Sequence, residues 1–200
     1  MLTIDEGRSA VKLAREALTT YVEKRERIKT VDVSSSFREK RGVFVTLHED
    51  GSLRGCIGYP QPIMDLGEAI VDSAISAGTG DPRFSSVRPD ELDRIVIEVT
   101  VLTPPRPYDV KKKDLPEAVK IGKHGLIVSR DMFTGLLLPQ VATECNFDST
   151  DFLCHTCHKA GLPMDAWIDE ETEVLYFEGQ VFAETKPGGD VAEKDISQCI

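Results

Sequence analysis

The sequence predicts an α+β protein with a largely antiparallel sheet and flanking helices. Two observations carry that prediction: short alternating runs joined by tight turn residues, and amphipathic helical stretches set between groups of such runs. Thr3 with Glu6 forms a capping-box pattern, and Ala10, Val11, Ala14, Ala17, Leu18, Tyr21 and Val22 follow at helical spacing, so a helix is predicted over about 4–25. Gly42 to His48 alternates as a strand, and Glu49, Asp50 and Gly51 supply a hairpin turn into a second strand. Leu66, Ala69, Ile70, Ala74 and Ala77 predict another helix, ended by Gly78 and Gly80. Ile95 to Leu102 alternates as a strand stopped by Pro104, Pro105 and Pro107. The second half follows the same style, with a short helical piece near Asp114 to Val119, a turn at Gly122 to Gly125, and strands at Leu126 to Ser129 and Gly135 to Leu138. Asp148 or Ser149 caps a helix through Phe152, Leu153, Thr156, Cys157 and Ala160, stopped by Gly161 and Pro163. Glu173 to Ala183 alternates as a last strand, and residues 185–200 read as a polar tail with the character of a disordered terminus. The prolines divide the chain into lobes of about 4–103 and 108–184, or else form a rigid loop within one domain.

Composition narrows the function classes. The chain has 200 residues, 40% of them hydrophobic and 29% charged, enough to bury a real core. No run approaches the roughly 20 apolar residues of a membrane-spanning helix. Acids at Asp5 and Glu6, in place of a basic and apolar leader, predict a cytoplasmic protein. Five cysteines, an odd number, point to thiols rather than a disulfide framework. A formal charge of −10 argues against non-specific nucleic-acid binding, which depends on cations displacing counterions.

The hexapeptide Leu53, Arg54, Gly55, Cys56, Ile57, Gly58 is the most distinctive feature. Read as a site, Cys56 is a nucleophile, redox thiol or soft ligand, Arg54 binds an anionic group through its planar fork, and Gly55 and Gly58 allow close backbone approach. Read as structure, Cys56 packs as a small hydrophobe and Arg54 pairs with an internal acid. Asp81, Pro82, Arg83 and Phe84 place a carboxylate and a guanidinium together, either at a binding rim or as a turn whose Arg83 pairs with an acid. His124, between Lys123 and Gly125, is a candidate general base toward Cys56, or a loop histidine that bonds a carbonyl. The run Cys154, His155, Thr156, Cys157, His158 invites a metal reading, but on a helix only Cys154 and His158 share a face, so these two are weak candidates and no metal is predicted. The dinucleotide-binding, phosphate-loop, zinc-protease and nucleophile-elbow motifs are absent, and no cofactor is indicated.

These motifs also carry a resemblance. The hexapeptide, the Asp81–Phe84 tetrapeptide, Ile121 to Val128, Gly135 to Val141, and Thr156 to Trp167 together resemble the AMMECR-one family, over about residues 4–184. The resemblance implies a compact α+β fold with two related halves on an antiparallel sheet around a cleft near the hexapeptide. It implies no established reaction. It also implies a shared pathway with Memo-type and radical S-adenosylmethionine proteins, which often accompany prokaryotic relatives. Ala77 to Gly80 depart from the family pattern, where an aromatic and an acid usually precede the Asp-Pro-Arg-Phe motif. Two functional expectations follow. The chain is an enzyme or enzyme subunit binding a small anionic substrate at Arg54 and Cys56, or it is a non-catalytic module binding a protein, peptide or nucleic-acid partner.

Overall fold

The computed structural model describes residues 1–30 and 34–194. In chain order the elements are α1 (Ile4–Lys24), β1 (Val43–Glu49), β2 (Ser52–Tyr59), α2 (Leu66–Thr79), β3 (Ile95–Leu102), β4 (Arg106–Pro107), α3 (Leu115–Ala118), β5 (His124–Arg130), β6 (Phe133–Leu137), α4 (Pro139–Glu144), α5 (Ser149–Lys159), β7 (Glu173–Glu184) and β8 (Val191–Lys194). The strand pairings are antiparallel, as expected for an α+β fold built on hairpins.

The chain divides into two compact units. The first comprises Met1–Leu102 and Gln180–Lys194, and the second Thr103–Gly179. The prolines mark one end of the second unit, but its other end lies inside β7, whose second half returns to the first unit. The sequence reading placed all of that strand in the second lobe.

In the first unit β1 and β2 form a hairpin whose turn residues Asp50 and Gly51 both have positive φ, at 51° and 78°. That two-residue turn sets Glu49 opposite Ser52 and His48 opposite Leu53; beyond them an irregularity with Arg54 as the extra residue shifts the register by one and places Thr46 opposite Cys56. β1 also pairs with β3, with Val45 opposite Val99, so β2 lies outermost. Alternation sends Val43, Val45, Leu47, Ile95, Ile97 and Val99 to one face, all fully buried together with Ala14, Leu18, Ile70 and Ala74 of α1 and α2. Thr3 and Glu6 make the expected capping box, and Arg25 closes α1 in the left-handed conformation at φ 59°. α2 runs through Gly78 to Thr79, because the missing side chain at Gly78 leaves room for Leu18, whose Cδ1 lies 2.4 Å from where a Cβ would be. Arg15 ties the end of β7 to this core. Its Nε donates to Glu184 Oε1 at 2.9 Å and its Nη1 to the Leu92 carbonyl at 3.1 Å, while the Ile97 N–H donates to Glu184 Oε2 at 3.0 Å.

The stretch after Glu184 is not wholly a tail. Val191–Lys194 pairs back on β7, with Val181 opposite Lys194 and Glu184 opposite Val191, which supplies the backbone partners that a polar sequence alone does not reveal. The remainder of the expected tail, including Cys199 and Ile200, lies outside the described residues.

In the second unit β5 sits between β6 and β7, and β4 pairs with β7. Leu126 and Val128 pack against Phe152, Leu153 and Cys157 of α5. β5 begins at His124, two residues before the predicted start. β6 ends at Leu137, and Pro139 fits the first turn of α4, a short helix in a stretch to which the sequence reading assigned no element.

Candidate functional site

The site is built on the outermost strand. Leu47 faces Gly55 and Thr46 faces Cys56, so Gly55 points toward the helices and Cys56 points to the opposite face of the sheet. Gly55 allows a close approach, but the approaching group is α2: a Cβ there would lie 2.1 Å from the Ala77 carbonyl oxygen. At Gly58 a Cβ would meet the Val43 carbonyl oxygen at 2.2 Å, so this glycine too is required by the fold. The two glycines bring backbone against backbone, which is the structural side of the sequence expectation.

Because β2 has no strand on its outer side among the described residues, some of its backbone groups need other partners. At Cys56 the Asp81–Arg83 turn supplies them. The Cys56 N–H donates to Asp81 Oδ2 at 2.9 Å, and Arg83 Nη2 approaches the Cys56 carbonyl at 3.5 Å. Arg83 also grips Asp81 with both ends of its fork, Nε to Oδ1 at 3.0 Å and Nη2 to Oδ2 at 2.7 Å, and the Arg83 N–H donates to Oδ1 at 3.1 Å. A carboxylate and a guanidinium thus occupy the place of a neighbouring strand. These bonds, with that from Arg83 foremost, hold the Asp81 carboxyl far below the usual carboxylate range against the opposing effect of burial. Asp81 is buried, with 2% of its side chain exposed, whereas 54% of the Arg83 side chain is open to solvent. The guanidinium carbon lies 5.4 Å from the centre of the Phe84 ring, and Nη1 has no hydrogen-bond partner among the described residues.

Arg54 behaves differently. Its Nε donates to Glu91 Oε1 at 2.9 Å, and its side chain is 11% exposed against 10% for Glu91. Glu91 Oε2 also accepts from the Arg88 N–H at 2.7 Å, and Glu49 stands 3.8 Å from Arg54 Nε. Burial raises the Glu91 carboxyl, but the bond from Arg54 and the backbone bond from Arg88 outweigh it and leave the group below its usual range. Of the alternatives weighed from sequence, the structure thus places Arg54 on an internal acid, and the guanidinium open to solvent is that of Arg83.

The Cys56 thiol is half-buried, and burial pushes its pKa up despite a bond from the Thr46 hydroxyl to Sγ at 3.3 Å and the proximity of Arg83. Among the described residues Thr46 is the one side-chain hydrogen-bond partner of Sγ. Thr46 and Glu91 were not singled out in the sequence. The turn at Asp50 and Gly51 does not by itself reveal Thr46, because counting from it pairs Thr46 with Gly55, and the register shift at Arg54 is what brings Thr46 opposite Cys56. Glu91 carries no signal either, because its link to Arg54 spans 37 residues.

The remaining candidates belong to the second unit. His124 is 5% exposed, and its Nδ1 faces the Tyr108 hydroxyl at 2.9 Å and accepts from the Lys120 N–H at 3.3 Å. Its ring stacks on Tyr176 at 4.6 Å, and its Nε2 is 3.9 Å from Glu178 Oε1. Burial lowers the His124 pKa, Glu178 pulls it back, and Lys120 and Lys123 push it down. On α5, Cys157 is buried, with its thiol pushed up to about 11 by desolvation, while Cys154 is half-buried and His158 exposed. No group of three or more His, Cys, Asp or Glu side chains placed to hold a metal ion occurs among the described residues. No helix among them is long and apolar enough to cross a membrane.

Fold and site together define an α+β protein in which a glycine-flanked cysteine on an edge strand is clamped by an Asp-Pro-Arg turn. The AMMECR1 family model matches residues 11–182, and the chain belongs to that family. It is similar to a Methanosarcina mazei protein, 54% identical over 198 residues that cover 97% of this chain and 99% of that one. It is also similar to a Methanothermobacter thermautotrophicus protein, 51% identical over 185 residues covering 92% of this chain and 96% of the relative. Among solved structures it is similar to an uncharacterized protein from Pyrococcus horikoshii, with a TM-score of 0.83, 42% identity, and coverage of 96% of this chain and 97% of that one.

Proposed function

We propose that this chain is a non-catalytic binding module that receives an anionic group of a protein or peptide partner at Arg83, beside Cys56. The observation that carries this reading is the fixed, half-exposed guanidinium of Arg83, with one edge spent on Asp81 and its Nη1 edge open. Asp81 already neutralises much of its charge, so the geometry favours a planar carboxylate on a larger ligand that adds contacts of its own over a small free substrate. Against thiol catalysis stand a Cys56 pKa raised by burial and the absence of a basic partner on Sγ among the described residues. The Memo-type and radical S-adenosylmethionine proteins implied by the family resemblance are the first partners to try.

The test uses a blocked tripeptide with one glutamate, its glutamine counterpart, and nitrogen-15 spectra of the protein. The glutamate peptide is expected to move the amide of residue 56 and the Arg83 Nε resonance saturably in the wild type and in Cys56→Ala, and to leave the residue 56 amide unmoved in Arg83→Gln. Equal shifts with the glutamine peptide, or shifts that persist in Arg83→Gln, would overturn the proposal.

A further inference from the structure

A concavity of about 280 Å³ lies wholly within the second unit, between the Pro107–Lys112 segment and the Glu170–Val174 segment. Tyr108, Val110, Leu115 and Val174 give it apolar walls, and Glu170, Glu171 and Glu173 stand at its rim. The salt bridges of this unit run elsewhere, through Lys123 with Glu178 and Arg130 with Asp169, so the rim carboxylates have no cation of their own among the described residues. Lys112, the one basic side chain in the wall, gives its ammonium to the Thr172 carbonyl. Glu173 accepts only a long bond from Ser129, at 3.4 Å.

One further observation bears on what the concavity can hold. Tyr108 is held rigid, with its hydroxyl on His124 Nδ1 at 2.9 Å and its ring 4.7 Å from that of Tyr176. The cavity therefore has one fixed aromatic wall rather than a mobile one.

An occupant has to satisfy apolar walls, an aromatic residue and uncompensated carboxylates together. An arginine side chain does so, since its alkyl stem is apolar, its guanidinium plane stacks on aromatic rings, and its five N–H groups serve several carboxylates at once. We propose that this concavity receives an arginine side chain from a basic segment of a partner protein. The net charge of −10 adds a long-range field that draws such a segment in. The assignment rests on none of the residues around Arg83, so either reading can fail without the other.

The experiment titrates the full chain with a blocked glycine-arginine-glycine peptide, its neutral citrulline isostere, and spermidine, following the Val110 and Val174 amides by NMR. The arginine peptide is expected to give saturable shifts, and the citrulline peptide to bind at least about tenfold more weakly. The double variant Glu171→Gln with Glu173→Gln, whose changes lie on exposed side chains, is expected to lose about the same factor. Tyr108→Leu is expected to weaken the arginine peptide as well, an effect that diffuse charge attraction does not produce. Equal binding of arginine and citrulline, tighter binding of spermidine than of the arginine peptide, or no saturable shift would each overturn the assignment.

Discussion

Arg54 and Arg83 look alike in the chain, each set in a short distinctive motif, yet the structure surrounds them differently. Arg54 is sealed in with Glu91, and removing it leaves that buried carboxylate with only the Arg88 N–H and the more distant, exposed Arg88 guanidinium at 3.8 Å. Arg54→Met is therefore expected to lower the unfolding free energy by about 3 kcal/mol, read from the shift of the urea midpoint. Arg83→Gln, at a half-exposed side chain, is expected to cost less than about 1 kcal/mol. Similar losses in the two variants would contradict the division of labour. The sequence made Cys56, Asp81 and Arg83 visible because each lies in a short distinctive motif, Cys56 between glycines and the other two around Pro82. It left open which arginine is free, because that depends on Glu91, and proximity in the chain says nothing of a contact that closes through the fold.

At the scale of elements, the glycines of β2 decide where α2 lies. Gly55→Ala would set a methyl group 2.1 Å from the Ala77 carbonyl, with backbone on both sides, and is expected to destabilise by about 3 kcal/mol. Gly51→Ala has open space around it and meets only the strain of φ +78°, about 1 kcal/mol. Denaturant melts of both variants check this ordering, and the reverse order would mean that α2 does not rest on β2 as described. α1, the β1–β2 hairpin, β3 and α5 were legible because each carries its own local signal: a cap, a turn or an apolar period. α4 and β8 were not. Pro139 and the acidic, glycine-containing stretch after Glu184 read locally as breakers, and only tertiary pairing with β7 makes Val191–Lys194 a strand.

For the molecule as a whole, acid should act in two stages. His124 has a lowered pKa in the folded state, so the unfolded chain takes up that proton first, and stability declines as the pH falls below the ordinary histidine value of about 6.5. Asp81 and Glu91 also have lowered values, so their contribution is complete above the ordinary carboxylate range near pH 4 and is lost as the pH falls below it. Urea midpoints measured from pH 7 to pH 3 are expected to show both declines, with Asp81→Asn flattening the second. A midpoint that stays level below pH 4 would contradict the ion-paired reading of Asp81. The central claim is that the Asp81–Arg83 clamp shapes a binding surface, with Cys56 a protonated, half-buried thiol within it. The measurement that tests this most directly is the pH dependence of Cys56 alkylation in a variant with Cys145, Cys154, Cys157 and Cys199 replaced by Ser or Ala. The account predicts slow reaction at neutral pH and half-maximal reactivity above the ordinary thiol value. Rapid alkylation at neutral pH with half-maximal reactivity below that value would mean an activated thiolate and return thiol chemistry to the centre of the site.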